Sequence, residues 1–553
     1  MPCCSITSHA EAEAAFTMLA DIFTPTLSQY LPLAFVFFVF IYLAHNYYNR
    51  ELNKYPGPLV CAFTNWYRFL KAWQRGPEQW HINLHNKYGD IVRLGPNCLS
   101  FANPKSVQAI YALGKGFTKS DFYPVQMATS KEGKKLPTLF STQSEEYHSQ
   151  LKRSVNSVFS MSAQMQYEPI FDSVNDVFLQ QTQERFSNTG KYCDFYQWLQ
   201  FYTFNVIGEL VYSRRHGFLE SNHDIEGIVK GNSALFDYAA VQKVGQVPVL
   251  DKLWKKNPIK LLAARYGLID SSYPVASFAK ARLAERHPSS GTVFSKEDLA
   301  WQRNDTKMPQ DFLSKFIQAK HDRPDFFNDQ LVVTMCVSMA FAGSEPAAVS
   351  MSGVFGSLLR NHRCLEKVYE ELDHKALQGH FKDNATGTVT WQESQGLPYL
   401  DACIKESFRL HPAPGLPVVP PEGAMIDGEF IKGGTIVGCN AWVIHRRPEI
   451  FGDDLDEYVP ERWLVDPSKN RGAEIARIKE MDYHIMSFGK GPRVCLGKHI
   501  GMMEVYKLIP AVLRRFELEL EEGSREARFR NGWFVRPLEL KVKFVDRKLV
   551  KPA

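Results

Sequence analysis

The chain has 553 residues, of which 44% are hydrophobic and 23% are charged, so it can build a large globular core. The net charge of +5 is small and the basic residues are scattered, which argues against a protein that binds nucleic acid. Its ten cysteines include no C-x-x-C pair and no zinc-type spacing, and this usage favours free thiols in a reducing compartment over a disulfide framework.

An uncharged apolar run at residues 30–49 is the first predicted element. Its length is close to the roughly 20 residues that a membrane-spanning helix needs, and tyrosines stand near both of its ends. Since the first basic residue is Arg50, the positive-inside rule places residues 1–29 across the membrane and the bulk of the chain in the cytosol. A cleaved signal peptide is the alternative, but the basic n-region and the small-residue cleavage site that it needs are missing.

A short hinge and one catalytic domain are predicted to follow this anchor. Residues 50–60 include Tyr55-Pro56-Gly57-Pro58, in which the prolines stiffen the chain and the glycine turns it. Residues 61–553 contain no internal repeat and form the predicted domain. The strand-like runs Ile91–Leu94 and Leu99–Phe101 predict a small β region near its start.

The middle of the domain reads mainly as helices. Phe117–Leu139 lacks clear periodicity and predicts a loop. The helix that begins near His148 places Lys152 on the same face, which is either a binding surface or a solvated basic face. Residues 165–320 show amphipathic helical patterns without a chemical motif. The aromatic residues expected in the core there are Trp198, Phe201 and Phe204.

The most apolar stretch of the domain is Asn328–Asn361. It is apolar nearly all round, which predicts one long helix that crosses the core. Its centre reads Ala342-Gly343-Ser344-Glu345-Pro346-Ala347. Because proline has no N–H, a proline in a helix interior frees an upstream carbonyl group, and we expect a local opening there that can hold water.

Charged residues at fixed spacing mark the next segments. Residues 391–410 predict a helix, in which Glu406 and Arg409 are three positions apart and share one face. Arg462 follows in the sequence Pro-Glu-Arg-Trp. Between them, residues 415–446 combine glycine turns with β-branched runs and predict a β-hairpin region.

A cysteine in a glycine-rich loop, Phe488–Gly497, precedes the helix-like run Lys498–Phe516. A thiolate at the start of a helix is stabilised by the helix dipole and by unpaired N–H groups, and Arg493 adds a cation two residues before Cys495. This arrangement suits a metal ligand on one side of a flat cofactor. A structural cysteine beside a glycine turn is the alternative.

The cysteine loop resembles that of the cytochrome P450 family, the haem-thiolate monooxygenases. Its residues match F-x-x-G-x-R-x-C-x-G position for position, and the pairs Glu406/Arg409 and Glu461/Arg462 match the family's E-x-x-R and P-E-R-W motifs in the same order. The resemblance covers roughly residues 55–545. It implies the mainly α family fold with a small β region, preceded by one transmembrane helix. Stretches around Phe117–Tyr123 and Val443–Arg446 are similar to the fungal pisatin-demethylase-like branch.

The resemblance implies roles for individual residues. Cys495 would be the axial ligand of the haem iron, and other residues would bind the cofactor: Arg493, Phe488, Gly497, His148 and Lys152. Glu406, Arg409 and Arg462 would form a buried ion triad that braces the haem pocket. Many relatives bind a haem propionate with an arginine near residues 414–421, but this chain has no arginine between Arg409 and Arg446. Propionate binding must therefore depend more on Arg493, Lys152 and His148.

The block 342–347 aligns with the family's oxygen-binding helix, and its implied catalytic residues are Gly343, Glu345 and Pro346. Here the chain departs from the family, because Pro346 replaces the threonine whose hydroxyl helps to deliver protons. Water or a hydroxyl group of the substrate could take over this role. Another possibility is chemistry that needs less oxygen activation. By analogy with the family, Phe236 and Tyr238 are candidates for the access-channel lid.

The resemblance implies oxidation of a small lipophilic molecule with O₂, in specialised metabolite biosynthesis at the endoplasmic reticulum membrane. Electrons must come from outside, because no dinucleotide or flavin fingerprint occurs in the chain. The implied partners are an NADPH–cytochrome P450 reductase, which supplies NADPH and flavins, and also cytochrome b5. Lys490, Lys498, Arg446 and Arg447 would attract such an acidic partner or form an ordinary solvated surface. Two alternatives remain: a haem-thiolate isomerase, dehydratase or peroxide-driven enzyme, and a non-catalytic haem sensor.

Overall fold

Helices make up most of the structure, as the sequence predicts. The computed structural model describes residues 30–74, 77–130, 134–239, 247–253, 256–266, 268, 274–286, 293–294, 309–412, 418–526, 528–531 and 533–550. The tail predicted for residues 1–29 therefore lies outside the described residues, and so does half of the segment 414–421 in which relatives carry a propionate-binding arginine.

The helices are numbered in chain order. The first half contains α1 (residues 30–48), α2 (Leu59–Phe63), α3 (Trp66–Trp73), α4 (Pro77–Tyr88), α5 (Pro104–Tyr111), α6 (Glu145–Val155), α7 (Met161–Arg185), α8 (Phe195–Tyr212), α9 (Phe218–Ser221), α10 (Ile228–Ala239), α11 (Val249–Leu253), α12 (Pro258–Arg265) and α13 (Pro274–Arg286). The second half contains α14 (Phe312–Asp322), α15 (Asp329–Ala342), α16 (Glu345–Arg360), α17 (His362–Leu377), α18 (Trp391–Ser394), α19 (Pro398–Leu410), α20 (Ala441–Ile444), α21 (Pro448–Phe451), α22 (Arg471–His484) and α23 (Lys498–Arg515).

The strands form small sheets at the edges of the helical body. They are β1 (Ile91–Gly95), β2 (Cys98–Phe101), β3 (Thr118–Lys119), β4 (Ala128–Thr129), β5 (Lys135–Leu136), β6 (Cys193–Asp194), β7 (Val418–Val419), β8 (Gly423–Ile426), β9 (Glu429–Lys432), β10 (Ile436–Cys439), β11 (Phe516–Leu520), β12 (Phe529–Asn531), β13 (Val535–Pro537) and β14 (Lys541–Asp546). The order β1-β2-β10-β7-β3 gives a five-stranded sheet in which β2 and β10 run parallel. A second sheet has the order β11-β14-β6.

The main core lies where α7, α8, α15, α16, α19 and α23 pack together. The aromatic residues expected there are at most 2% exposed: Trp198, Phe201 and Phe204. Two buried polar side chains of this core donate hydrogen bonds within it: the Trp198 ring to Thr182 Oγ1 at 2.9 Å and the Tyr202 hydroxyl to Asn175 Oδ1 at 2.8 Å. The core is thus both apolar and internally hydrogen-bonded, which gives the adjoining site rigid walls.

The apolar helix α1 is long enough to cross a membrane, and its side chains are largely exposed. Its far end is fastened to the body by Arg93 of β1, which is 2% exposed. The Arg93 guanidinium donates hydrogen bonds to the carbonyl groups of Asn46 and Tyr47 at 2.6 and 2.8 Å. The segment after α1 also contacts the β8–β9 hairpin, where Lys54 pairs with Glu429 at 2.8 Å. Helix α1 is therefore attached to the sheet that contains β1.

The apolar stretch at residues 328–361 forms two helices instead of the single helix that the sequence predicts. Helix α15 ends at Ala342 and α16 begins at Glu345, with Gly343 and Ser344 between them. Pro346 occupies the first turn of α16, where its missing N–H costs nothing within that helix. The same missing N–H and the proline ring prevent α15 from continuing through this point. Most of this apolar stretch is buried, so it belongs to the core of the protein.

Candidate active site

An internal cavity of about 430 Å³ lies between the α15–α16 junction and the cysteine loop. Its wall contains many residues predicted for the site: Gly343, Pro346, His148, Lys152, Phe488, Arg493, Cys495 and Gly497. Glu345 and the predicted triad of Glu406, Arg409 and Arg462 are not part of this wall. The fold thus brings these residues from three separate parts of the sequence to one cavity.

The cysteine loop is held in shape by backbone contacts. The N–H of Cys495 donates to the carbonyl of Phe488 at 2.8 Å, which closes the loop. Gly489 and Gly491 have φ angles of 71° and 68°, which are in the left-handed region that favours glycine. A Cβ atom on Gly491 would also overlap the carbonyl oxygen of Tyr111 in α5. Glycine is therefore required at position 491 for two independent reasons.

We expect Gly491→Ala to abolish haem incorporation, because the backbone of the cysteine loop would have to move away from Tyr111 and Cys495 would move with it. The measurement is the Soret band of the reduced, carbon-monoxide-treated protein, normalised to the amount of folded chain. Gly523→Ala is a useful control, since no atom lies within 4 Å of the position that its Cβ would take and Gly523 does not line the cavity. A Gly491→Ala protein with a normal thiolate band would contradict this close approach of the loop to Tyr111.

Cys495 is chemically distinct from the other free cysteines that the structure describes. It is accessible through the cavity, whereas those at positions 61, 98, 193, 336, 364, 403 and 439 are buried. Burial raises the pKa of the Cys495 thiol, and the N–H of Gly497 and the charge of Lys498 act in the opposite direction. A metal cation would complete the stabilisation of the thiolate that these two groups begin.

Four basic side chains line one wall of the cavity: Lys119, His148, Lys152 and Arg493. Lys152 donates to the carbonyl of Pro492 at 3.3 Å, so helix α6 and the cysteine loop are joined there. Arg493 pairs with Glu145 of the same helix at 2.6 Å. Lys119 is 4% exposed, and burial followed by the charge of Arg493 lowers its pKa well below the usual value. This wall has an excess of positive charge and can bind the carboxylates of a cofactor.

His148 is mostly buried on this wall. Burial, followed by the charges of Arg493, Lys119 and Lys152, lowers its pKa to about 3. His148 is therefore a neutral imidazole at physiological pH and can serve as a hydrogen-bond donor rather than as a cation. Lys119 was not among the residues predicted for the site, although it stands in the Phe117–Tyr123 stretch that carries the resemblance.

The cavity fits a flat, dicarboxylate, metal-containing group. Cys495 offers a thiolate ligand, and the basic wall offers partners for two carboxylates. Gly497 and Gly501 leave open surface, because no atom lies within 4 Å of a Cβ on either residue. The remaining wall is mainly apolar and includes Phe488, Ala347 and Leu496. Haem is the cofactor that these features match.

The predicted triad forms a hydrogen-bonded network in which Glu406 and Arg409 are completely buried and Arg462 is mostly buried. Glu406 and Arg409 are 0% exposed and pair at 2.8 Å, and Arg462 reaches Glu406 Oε1 at 3.0 Å. The second carboxylate oxygen, Oε2, accepts from the Trp463 ring at 2.8 Å. Arg409 also donates to the carbonyl groups of Leu455 and Glu457 at 2.7 and 3.0 Å. All these charges are thereby satisfied, which is the condition for burying them.

His445 connects this network to the cysteine loop. Its Nε2 accepts from the N–H of Met486 at 2.8 Å, which requires that its Nδ1 donates to the carbonyl of Arg409 at 2.9 Å. Burial lowers the pKa of His445 to about 3, so the ring stays neutral in this tautomer. The carbonyl of Met486 in turn accepts from the N–H of Gly489 at 2.8 Å. His445 was not predicted as a bracing residue, because its partners are distant along the chain.

Gly343 lines the cavity with its backbone, but its missing side chain serves a packing contact. A Cβ atom there would clash with the side chain of Ile207 in α8. Glycine therefore lets α8 approach α15 closely at the cavity wall. Pro346 follows at the wall itself, and its carbonyl accepts a hydrogen bond from Ser350 Oγ at 2.8 Å.

Glu345 is 1% exposed and is tied to groups outside the cavity. Arg536 of β13 approaches its Oε1 at 2.6 Å, and Ser233 of α10 donates to its Oε2 at 3.1 Å. Burial raises the pKa of Glu345, while Arg536 and Ser233 lower it. Arg536 also pairs with Asp237 at 2.7 Å. Glu345 thus joins α16, α10 and the β12–β13 hairpin through a buried ion network.

The two aromatic residues suggested for a lid occupy different surroundings. Phe236 lines the cavity and stacks on Phe341 of α15 with a centroid distance of 4.2 Å. Tyr238 is not part of this wall, and its hydroxyl donates to Asp251 Oδ1 of α11 at 2.9 Å. Phe236 is therefore placed to contact a substrate, whereas Tyr238 fastens α10 to α11.

Comparison with known proteins agrees with this geometry. Residues 56–544 match the family model described as Cytochrome P450. A cytochrome P450 monooxygenase of Aspergillus terreus is 38% identical over 91% of this chain and 97% of its own length. The cytochrome P450 monooxygenase cicH of Emericella nidulans is 36% identical over 90% of this chain and 94% of its own length. The cytochrome P450 monooxygenase asR2 of Sarocladium schorii is 33% identical over 88% of this chain and 91% of its own length. The chain belongs to the cytochrome P450 family of monooxygenase enzymes.

Proposed function

We propose that this monooxygenase oxidises a small lipophilic molecule in specialised metabolite biosynthesis, with O₂ and electrons from an NADPH–cytochrome P450 reductase. The observation that carries the proposal is the cavity that is lined by Cys495, the basic wall and apolar side chains such as Phe236 and Phe341. A second cavity of about 720 Å³ shares Pro412, Trp533 and Val535 with the first. This second cavity gives a lipophilic molecule a route from the side of the body that carries the anchor.

The chain is proposed to sit on the endoplasmic reticulum membrane, with helix α1 as a single span and the catalytic domain in the cytosol. Helices α2 and α3 next to the anchor support this orientation, because their apolar side chains are about half exposed or more: Leu59, Val60, Trp66, Leu70 and Trp73. Tyr47 at the end of α1 stacks on Phe63 of α2 with a centroid distance of 5.6 Å. An apolar surface beside a span is stabilised by contact with the lipid interface.

The reductase, with its flavins, is proposed to bind near the cysteine loop, and cytochrome b5 would use the same surface. Lys490 and Lys498 belong to this side of the protein and supply positive charge. Arg446 and Arg447 contribute less positive charge to this surface than the sequence suggests, because each is paired with an aspartate. Arg446 pairs with Asp456 at 2.6 Å, and Arg447 pairs with Asp90 at 2.8 Å.

In the proposed mechanism the haem supplies the oxygen-activating chemistry, and the residues of this chain orient and shield it. Cys495 would hold the iron, while Lys119, Lys152, His148 and Arg493 would fix the propionates. The apolar side chains of the wall exclude water and orient the substrate. The Glu406–Arg409–Arg462 network and His445 keep the cysteine loop in the geometry that the ligand needs.

Spectroscopy of Cys495 variants tests the haem-thiolate assignment. The full-length protein, reduced and treated with carbon monoxide, should show a thiolate-type Soret band that Cys495→Ser lacks. Cys364→Ala is the control, because Cys364 is buried in α17 and does not line the cavity. Membranes that contain the protein and reductase should then convert candidate lipophilic intermediates only when NADPH and O₂ are present. Turnover without both would favour an isomerase, dehydratase or peroxide-driven enzyme, and the absence of any turnover would favour a haem sensor.

Pro346→Thr is expected to change how much product forms per NADPH consumed, with little effect on folding. Pro346 lies in the first turn of α16, where a threonine is also tolerated and would place a hydroxyl group at the cavity wall. The measurement compares NADPH consumption, product and hydrogen peroxide in the two proteins. Unchanged coupling together with a collapsed haem content would show that Pro346 has a structural role only.

A further inference from the structure

Side chains bind two of the last carbonyl groups of helix α15. Ser344 Oγ donates to the carbonyl of Ala340 at 3.1 Å. The side-chain amide of Asn232, in α10, donates from Nδ2 to the carbonyl of Phe341 at 3.3 Å. The last carbonyl groups of a helix have no donor within that helix, so a helix that ends inside a protein needs partners of this kind. Asn232 therefore contributes, from a separate helix, to the break that precedes Pro346.

The neighbours of the Asn232 amide fix its orientation. Nδ2 also donates to Ser344 Oγ at 3.1 Å, and that hydroxyl group donates to Ala340. Because the carbonyl of Phe341 can only accept, the opposite orientation of the amide would place two acceptors together. Asn232 is 1% exposed, and its Oδ1 has no hydrogen-bond partner within the described chain. A buried acceptor without a donor reduces stability, so stability alone does not explain an asparagine at this position.

Helix α10 reaches the cavity one turn after Asn232. Phe236 lines the cavity and stacks on Phe341 with a centroid distance of 4.2 Å and an angle of 17° between the rings. Since residues four positions apart share a helix face, Asn232 holds the backbone of Phe341 while Phe236 holds its ring. Ser233 adds a hydrogen bond to Oε2 of Glu345, the first residue of α16, at 3.1 Å. Helix α10 is thus joined to both sides of the break.

We propose that Asn232 is a positioning residue of the monooxygenase reaction, which holds the break between α15 and α16 open and in register with α10. Asn232 does not line the cavity, but its hydrogen bonds fix the segment that places Gly343 and Pro346 at the cavity wall. A substrate that contacts Phe236 therefore acts on the same helix that positions the break. This inference rests on the proposed oxygenase function and adds a residue of α10 to the groups on which the yield of product per NADPH depends.

Hydrogen exchange of the full-length, haem-loaded protein in lipid nanodiscs tests the contact without turnover. Asn232→Leu removes both hydrogen bonds and keeps a side chain of similar size. We expect the backbone N–H groups of residues 343–348 to exchange about tenfold faster in this variant, because the break loses two hydrogen bonds that oppose local opening. Asn175→Leu is the matched control: Asn175 is 0% exposed, its amide binds Tyr202 at 2.8 Å and has one unpaired atom, and it does not line the cavity. Equal exchange of residues 343–348 in the wild type and Asn232→Leu overturns the proposal.

Turnover of a lipophilic intermediate that the wild type converts separates positioning from a purely structural role. Asn232→Leu should keep the thiolate Soret band and the affinity for this substrate but form about tenfold less product per NADPH, since small displacements at a reaction site have effects of this size. Asn175→Leu should keep the wild-type yield.

Ser344→Ala decides the question if Asn232→Leu does not retain haem, because it removes one acceptor of the Asn232 amide and leaves the amide in place. A lower yield per NADPH at normal haem content supports the proposal, and a wild-type yield in the haem-loaded variant overturns it. If the wild type itself forms no NADPH-dependent product, the oxygenase function fails, while the exchange of residues 343–348 still reports separately on the contact between Asn232 and the break.

Discussion

Glu406→Gln is expected to leave the chain unable to retain its cofactor. The Glu406 carboxylate accepts five hydrogen bonds, from two nitrogens of Arg409, from Arg462, from the Trp463 ring and from the N–H of Val459. A glutamine offers one acceptor oxygen, and its NH₂ group would face donors. The charge of Arg409, which is 0% exposed, would lose its counter-ion, and breaking such a buried pair costs about 3–5 kcal/mol.

The free energy of unfolding and the Soret band together measure this loss. Glu519→Gln is the matched control, because Glu519 pairs with Lys543 at 2.9 Å on an exposed strand and its side chain is 56% exposed. Removal of an exposed pair of this kind changes stability by about 1 kcal/mol or less. Equal losses in the two variants would contradict the view that the Glu406 network braces the cysteine loop.

The route from this network to the metal ligand is short. Arg409 binds His445 through its carbonyl group, His445 binds Met486, and Met486 binds Gly489 of the cysteine loop. Each of these contacts involves a backbone group, so hydrogen bonds to the main chain, and not side-chain packing alone, fix the position of the loop. A shift of Arg409 is expected to reach Cys495 through these three hydrogen bonds.

The sequence predicted the parts of the site that depend on local spacing. Glu406 and Arg409 share a helix face because they are three residues apart, and the glycines around Cys495 are required by a loop only ten residues long. An opening at Pro346 was predicted, and the structure extends it to a full break between α15 and α16, because the proline ring and its missing N–H stop the preceding helix. The placement of the site residues near a haem remains a prediction that the spectroscopic tests address.

The missed features all depend on contacts between distant segments. Lys119 reaches the cavity because β3 pairs with β7, and the neighbouring sequence does not indicate that pairing. Glu345 looks like a cavity acid in the motif, yet Arg536 of a C-terminal strand holds it outside the wall. Glu504 is an ordinary acidic residue of an amphipathic helix in the sequence, and only the fold shows that it is buried without a partner. Burial and pairing of single charges are therefore the properties that could not be predicted from the sequence.

Acid is expected to destabilise the protein steeply, because several histidines are buried in the neutral form. Burial is the largest cause that lowers the pKa of His81, His216 and His445 to about 3 each. In the unfolded chain these rings have a pKa near 6.5 and take up protons as the pH falls below it. The stability that they contribute is therefore complete above about pH 6.5 and is lost as the pH falls toward 3.

When the pH falls from about 7 to about 5, each of these histidines should lower the free energy of unfolding by about 2 kcal/mol, or by about 6 kcal/mol together. Buried carboxyl groups whose pKa is raised by burial, such as Glu504 and Asp172, act in the opposite direction. The contribution of the histidines alone is a large fraction of the stability of a typical protein.

His216→Phe should remove the part of this acid destabilisation that is due to His216. Neither ring nitrogen of His216 has a hydrogen-bond partner within the described chain, and the ring packs 5.0 Å from Phe278 and 5.9 Å from Tyr212. A phenylalanine keeps the packing and cannot be protonated. Relative to the wild type, the variant should gain about 2 kcal/mol more at pH 5 than at pH 7, measured by denaturant unfolding of the haem-loaded protein. His362→Phe is the control, because the His362 side chain is 81% exposed. An equal pH dependence in the wild type and His216→Phe would mean that His216 is already protonated in the folded protein.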